Sequence, residues 1–279
     1  MNSSQITKIA FIGFGEVGQR FARDFREQPA ISMTAFDVLF LATELRETAQ
    51  ARAANLGVAP MQSAEEACES ADIIISAVTA DQTEIVAQQA TAFLKPGQIF
   101  FDVNSASPET KRRAARVVNA TGADYIEAAA MAPVRTPGIA VPILAGGPRS
   151  ADVAERLNAM GMCITSVAQD YGRASAIKLC RSIMIKGIET LMVDCSKAVT
   201  HFGVAREVYA SLGQTFPSID WATLADAMTE RVATHGVRRA AEMREAADML
   251  REAGFNEALA SAVAEAQARG AKGRNIAGA

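Results

Sequence analysis

Residues 9–25, IAFIGFGEVGQRFARDF, place Gly13, Gly15 and Gly18 in the spacing G-x-G-x-x-G, directly after an apolar run and directly before an amphipathic one. That strand–turn–helix context gives the spacing its meaning. Gly13 permits a tight turn, Gly15 lets a pyrophosphate approach the backbone, and Gly18 allows the helix to pack closely on the strand. The helix start offers unpaired N–H groups to phosphate oxygens. Phe14, Glu16 and Val17 complete the loop. The next apolar run, ISMTAFD, ends in Asp37, 24 residues beyond Gly13 and close to the ~20 expected for a residue that binds the adenosine ribose. A carboxylate there accepts hydrogen bonds from the ribose hydroxyls and repels a 2′-phosphate, and no arginine adjoins it. NAD is therefore expected rather than NADP.

Outward from this loop, short apolar runs alternate with amphipathic stretches. A helix is expected to Phe25 and another around Glu44 to Leu56, and strands at ISMTAFD, DIIISAV, Gln98–Val103, Asp124–Ile126, Val141–Leu144 and Met162–Val167. This alternation predicts βαβ units in a mainly parallel, doubly wound sheet. After about Gly172 the strand signals stop, and Ala-, Leu-, Met-, Glu- and Arg-rich stretches such as VRRAAEMREAADMLREAG predict helices only. The expected fold is α/β: a Rossmann-type domain over 1–168, then an all-helical domain over 169–279. Gly254 is placed to cap a helix, and the glycine-rich end ARGAKGRNIAGA is expected to fray.

Composition narrows the function classes. At 279 residues, 49% hydrophobic and 21% charged, the chain can bury large cores. Its net charge of −3 is spread without a basic run, which argues against a nucleic-acid partner. No apolar run approaches the ~20 residues of a membrane span, and the N-terminus lacks the features of a signal peptide. Cys68, Cys163, Cys180 and Cys195 never form a C-x-x-C pair and are expected as buried thiols in a reducing compartment, so the predicted location is cytoplasmic. With only His201 and His235, a multi-histidine metal site is not expected.

The glycine loop, Asp37 and ADIIISAV (71–78), followed by Asp102, Val103, Asn104 and Ser105, together resemble the β-hydroxyacid dehydrogenase family, the group of 3-hydroxyisobutyrate and 6-phosphogluconate dehydrogenases. The likeness spans nearly the whole chain. It implies that Ala77, Val78 and Asn104 border the cofactor and that Asn104 and Ser105 lie near the substrate. The stretch YIEAAAMAPVRTPGIAVPILAGG (125–147) is similar to the family's substrate-binding D-A-P-V-S-G-G segment. Glu127 stands for the aspartate, Met131 for the substrate-touching serine, and Ala132 and Pro133 for the two glycines. GRASAIKLCRS (172–182) matches the spacing of the family's G-x-G-x-x-x-K-x-x-x-N at Gly172, Ala174, Lys178 and Ser182. The resemblance implies that Lys178 is the catalytic lysine, with Ser182 on the same helix face in place of the usual amide.

A second register sets KGIE (186–189) on the N-G-I-E of phosphogluconate enzymes and Ser182 on the lysine, but it loses the preceding glycine match. Lys186 still lies two turns beyond Lys178 and is a candidate for the same site, beside the plainer reading of a lysine snorkelling from a buried helix. The family's K-D-L signature is missing, and HGVRRAAEMREAA stands in its region. His235 is a candidate second acid or base there, and Arg239 a candidate clamp for a substrate carboxylate. Charges on a helix are otherwise a solvated face.

The expected chemistry is hydride transfer from a small 3-hydroxy acid or related hydroxy compound to NAD, with Lys178 taking the hydroxyl proton. An exposed lysine titrates near pH ~10.4, and partial burial, Arg181 and the positive nicotinamide would each favour the neutral amine. Two rivals are an imine reductase of the same fold, which usually prefers NADPH and lacks the lysine, and a noncatalytic NAD-binding sensor or assembly protein. The partners expected are a small-molecule substrate and a second copy of the chain, a homodimer being what the resemblance implies.

Overall fold

A computed structural model describes residues 6–272 of the chain. Two compact units meet in sequence at Lys178 and Leu179. The strands of the first are β1 (Lys8–Ile12), β2 (Ser32–Phe36), β3 (Val58–Pro60), β4 (Ile73–Ser76), β5 (Ile99–Asp102), β6 (Asp124–Ala130), β7 (Pro142–Gly146) and β8 (Cys163–Ala168). They form one sheet in the order β3-β2-β1-β4-β5-β6-β7-β8. All neighbouring pairs are parallel except β6 and β7. Its helices are α1 (Glu16–Phe25), α2 (Arg46–Asn55), α3 (Ala64–Cys68), α4 (Thr83–Ala90), α5 (Pro108–Asn119) and α6 (Ser150–Asn158).

The central strands read IIIS and IFFD and are buried at every position, as parallel strands covered on both faces must be. Alternate side chains feed two cores. Ile9, Phe11, Ile73, Ile75, Ile99 and Phe101 pack with Phe21 and Phe25 of α1 and Val153 and Leu157 of α6. Ala10, Ile12, Ile74, Phe100 and Tyr125 pack with Ala87 and Ala90 of α4 and Ala114 and Val118 of α5. The doubly wound sheet is thus the architecture that the alternating pattern predicts.

Two local expectations are corrected. β6 runs on to Ala130 because Ala128, Ala129 and Ala130 pair antiparallel with β7, and a run of alanines carries no strand signature of its own. The short β3, closing at Pro60, was not expected. It is an edge strand, the place where a proline does least harm to a sheet. The cysteines are corrected as well. Only Cys68 is buried, Cys163 and Cys180 are exposed, and Cys195 lies between. Burial pushes the Cys68 thiol up to about 12, which leaves it inert at neutral pH.

Among the described residues every element of the second unit is a helix: the remainder of α7 (Arg173–Phe202), then α8 (Ala205–Thr215), α9 (Trp221–Glu252) and α10 (Ala258–Lys272). Asp220 caps α9 by accepting from Thr223 N at 3.1 Å. Gly254, with φ +78°, ends the same helix as expected. The expected fraying does not hold over 268–272, which are helical; residues 273–279 lie outside the described ones. The reason is close helix packing. A Cβ on Gly270 would collide with the Val232 side chain, and one on Gly236 with the Gln267 carbonyl, so the two glycines let α9 and α10 approach. Among the described residues no helix is long and apolar enough to cross a membrane.

Candidate cofactor and catalytic site

The glycine loop lies against the carboxyl end of β4. Gly13 has φ +85°, and a Cβ there would sit 2.5 Å from the Ala77 carbonyl oxygen. Gly18 is as constrained, since its Cβ would meet Gly13 O at 2.9 Å. Gly15 faces open space and heads α1 with no side chain capping the helix. The start of α1 therefore presents backbone N–H groups and a positive dipole end beside room for a ligand, a cradle that fits a pyrophosphate. Asp37 binds the loop from the neighbouring strand. Its Oδ2 accepts from Phe14 N at 2.7 Å and its Oδ1 from Leu39 N at 2.9 Å. One further lone-pair position per oxygen remains for ribose hydroxyls. Val38, Leu39, Phe40 and Leu41 follow it, none of them basic.

The loop after β6 is fastened to α1. Arg135 Nε reaches Glu16 at 2.6 Å, Arg20 Nε donates to the Arg135 carbonyl at 3.0 Å, and Ile139 N donates to Asp24 at 2.9 Å. Met131 is half-buried at the head of this loop, its N–H on Pro142 O at 2.8 Å.

Asn104 is buried, and its side chain joins two strand ends. Oδ1 accepts from Val78 N at 2.7 Å and Nδ2 donates to Ser76 Oγ at 3.0 Å. The same turn rests on a buried group that the sequence reading missed. Lys111 Nζ lies 2.9 Å from Asp102 Oδ1 and 3.1 Å from the Asp102 carbonyl, while Tyr125 Oη donates to Asp102 Oδ2 at 2.5 Å. Burial, and then the Asp102 charge, raise the Tyr125 phenol well above its ordinary range. A signal was present, because Lys111 sits at helical spacing with Ala114, Ala115 and Val118 on the apolar face of α5. Ser105 Oγ is buried with no hydrogen-bond partner among the described residues. The first unit thus gathers the glycine loop, Ala77, Val78, Asn104 and Ser105 at the carboxyl ends of β1, β4 and β5, where open α/β sheets bind ligands.

Glu127, wholly buried in β6, accepts from Gly172 N at 2.5 Å and Ser175 N at 2.7 Å. It caps the start of α7 by accepting from two of the N–H groups there. This fixes the helix that carries Lys178, itself half-buried.

Along the same face of α7, in the second unit, lie Ser182, Lys186 and Glu189, all buried. Lys186 Nζ donates to Ser182 Oγ at 3.0 Å and pairs with Glu242 Oε2 of α9 at 2.7 Å. Burial pulls the Lys186 pKa below its ordinary value, while Glu242 opposes that shift. Arg239 corrects an expectation. Rather than standing open to a substrate carboxylate, its guanidinium is closed on Glu189, with Nε 2.8 Å from Oε2 and Nη2 on both oxygens. Arg231 adds a contact to Glu189 at 3.2 Å and Gln267 Nε2 another at 3.3 Å. A glutamate inside the bundle would otherwise be an uncompensated charge, and the arginine fork neutralises it. His235, one turn before Arg239 on α9, is half-buried.

With this geometry in view, residues 8–168 match the family described as the NAD binding domain of 6-phosphogluconate dehydrogenase, and residues 200–270 match a domain of unknown function, DUF1932. The chain belongs to the family of that NAD-binding domain, and its fold is that of the 3-hydroxyacid dehydrogenases. A conserved hypothetical protein from Sinorhizobium meliloti 1021 is 38% identical, with 95% of this chain and 88% of that one covered and a TM-score of 0.81. The conserved protein MTH1747, of unknown function and described as structurally similar to 3-hydroxyacid dehydrogenases, is 28% identical over 98% of this chain and 100% of its own, at TM-score 0.75. The 3-hydroxyisobutyrate dehydrogenase of Mycobacterium tuberculosis, solved with L-serine, shares the fold at 20% identity over 95% of this chain and 94% of its own, TM-score 0.75. An imine reductase from Bacillus cereus does so at 19% identity over 95% and 93%, TM-score 0.60. The family is therefore that of the NAD binding domain of 6-phosphogluconate dehydrogenase, and the fold is one that hydroxyacid dehydrogenases and imine reductases share.

Proposed function

We propose that the protein is an NAD-dependent oxidoreductase that moves a hydride between a small 3-hydroxy acid, or a related hydroxy compound, and the nicotinamide, with Lys178 as general acid and base. The observation that carries this reading is Glu127. It fastens the start of α7 to the sheet that bears the glycine loop, so Lys178 stands on a helix fixed to the cofactor-binding unit. When bound, NAD supplies the hydride acceptor. Glycine-loop N–H groups hold its phosphates and Asp37 its adenosine ribose, and the Asp37 charge disfavours a 2′-phosphate. Val78 and Asn104 shape the nicotinamide end. Lys178, as the neutral amine, takes the hydroxyl proton of the carbinol as the hydride departs from its carbon. In the opposite direction its ammonium polarises the carbonyl and returns that proton. Ser105, Met131, Ser182 and His235 are assigned to the substrate.

The remaining partner is a second copy of the chain. Met184, Leu191, Val237 and Leu259 are each more than three-fifths exposed, more large apolar surface than one small helical unit ordinarily leaves in water. A reducing, cytoplasmic setting suits the four free thiols.

The deciding experiment incubates the full chain with NAD and a panel of hydroxy acids and amino alcohols, reading NADH absorbance, alongside Lys178→Met. Loss of about a hundredfold to ten-thousandfold in kcat, with NAD binding kept, is expected. An active Lys178→Met moves the catalytic assignment elsewhere. Better turnover of cyclic imines with NADPH establishes the imine reductase chemistry instead.

A further inference from the structure

We infer that Tyr125 is a positioning residue for the nicotinamide half of the cofactor: its hydroxyl steers the Asp102 carboxylate, and that carboxylate fixes Asn104. The inference rests on the reading of Val78 and Asn104 as the nicotinamide end of the NAD site.

The sheet order says where that half of the cofactor lies. Asp37 directly follows β2, on one side of β1, and the glycine loop follows β1 itself. A dinucleotide with its adenosine ribose at Asp37 and its pyrophosphate at the loop extends its other half across β1, over the ends of β4 and β5. Asn104 ties those two ends together. Its Oδ1 accepts from Val78 N and its Nδ2 donates to Ser76 Oγ. A backbone N–H can only donate, so the Val78 contact fixes the amide in this one orientation.

Behind the amide lies a cluster with no access to water. Asp102, Lys111 and Tyr125 are all essentially wholly buried. Asp102 Oδ1 accepts from Asn104 N and from Lys111 Nζ, each at 2.9 Å, and Oδ2 accepts from Tyr125 Oη at 2.5 Å. Stability alone is a poor account of the cluster, because apolar residues of like volume often replace a buried ion pair without loss. What they cannot supply is the acceptor for the Asn104 N–H, the bond that closes the turn after β5. Tyr125 sets the angle of that acceptor. Its ring is stacked on Phe100, with centroids 6.0 Å apart and planes at 14°, and Tyr171 meets it edge-on at 5.6 Å and 74°. The phenol is thereby aimed at Oδ2. With Oδ2 held by Tyr125 and Oδ1 by Lys111, the carboxylate cannot turn, and Asn104 is in place before the cofactor arrives. Ordering it in advance spares the cofactor that cost on binding.

The test measures the binding of NAD and of ADP to the full chain by titration calorimetry. ADP carries the adenosine and two phosphates and lacks the second ribose and the nicotinamide. Tyr125→Phe removes the hydroxyl but keeps the stacked ring and every charge. NAD should bind it about tenfold more weakly, with ADP affinity unchanged. The second variant, Lys111→Met/Asp102→Asn, removes both charges together and leaves one carbonyl oxygen where Asn104 N and Tyr125 Oη now use two. It should show the same selective loss, and adding Tyr125→Phe to it should cost little more. Equal weakening of NAD and ADP in Tyr125→Phe would mark a purely structural hydroxyl and overturn the inference. Unchanged NAD affinity in Tyr125→Phe, beside a selective loss in Asn104→Ala, overturns the inference alone. An Asn104→Ala protein that binds NAD as well as the unaltered chain, or an unaltered chain that binds no NAD, overturns the nicotinamide reading and the inference with it.

Discussion

Among the described residues each unit buries one lysine against a carboxylate, and the two pairs differ in what surrounds them. In the sheet unit Lys111 and Asp102 are both essentially inaccessible, and the carboxylate also receives Tyr125 and the Asn104 N–H. In the helical unit Lys186 is almost as deep, but the Glu242 side chain keeps 18% of its surface exposed, and the lysine's other contact is a lone hydroxyl. The first pair holds backbone, namely the turn that carries Asn104 and Ser105, through a carboxylate that accepts from three groups. The second joins side chains of two helices and holds no loop. Groups that fix backbone suit a scaffold, and breaking one costs more than breaking a bond between side chains at a partly exposed edge.

The largest expected effect tests the scaffold half of that contrast. Lys111→Met strands a wholly buried carboxylate, so unfolding in urea should show a loss of about 3–5 kcal/mol. A loss under 1 kcal/mol would mean that Tyr125 and the backbone satisfy Asp102 unaided, and the two lysines would then be alike. Alkali should separate the units next. Cys68 is raised from its ordinary 9.0 to about 12 in the folded chain. The stability it confers is therefore complete below pH 9 and is lost as pH rises toward 12, on the order of 3–4 kcal/mol in all. Tyr125, also raised, acts in the same sense above its ordinary 10.0. Lys186 has the opposite sign. Its folded pKa lies below its ordinary 10.5, so the unfolded chain binds more protons in that window and the residue's contribution rises with pH up to 10.5. Urea midpoints between pH 8 and 11 check this: Cys68→Ala should flatten the alkaline fall, and Lys186→Met/Glu242→Met should steepen it.

The legibility of the two halves follows from the same contrast. The glycine loop and Asp37 were readable because phosphate and ribose demand particular residue types at fixed spacing along one short stretch. Strands such as IIIS and IFFD were readable because burial on both faces leaves only apolar choices. Lys111 was half readable: its helical spacing with Ala114 and Val118 marks it as buried, but nothing local names Asp102 as its partner. Arg239 was misread as a clamp because Glu189 lies 50 residues away, and a pairing between helices that far apart leaves no periodic trace. Gly270 reads as part of a loose end in the sequence, yet its use with Gly236 in a close helix crossing appears only once both helices are in place.

The smallest expected effect concerns Asp37, where scaffold and site share one carboxylate. Because Asp37 accepts from Phe14 N and Leu39 N, replacing it by Ala would loosen the glycine loop as well as remove the charge, and the two causes would be confounded. Asp37→Asn separates them in part, since its single carbonyl oxygen can keep one of the two backbone bonds while the charge is gone. If like-charge repulsion sets the cofactor preference, the ratio of kcat/KM for NAD over NADP should fall by about tenfold in Asp37→Asn, equivalent to about 1.4 kcal/mol. Stability should change by less than that. The salt dependence sharpens the point: the preference of the unaltered protein should narrow as ionic strength rises, because screening weakens repulsion between partly exposed charges, whereas the preference left in Asp37→Asn should not respond. A preference that survives the substitution at all salt concentrations would place the discrimination in the shape of the segment Val38–Leu41, and Asp37 would then belong with Asp102 among the residues that hold backbone.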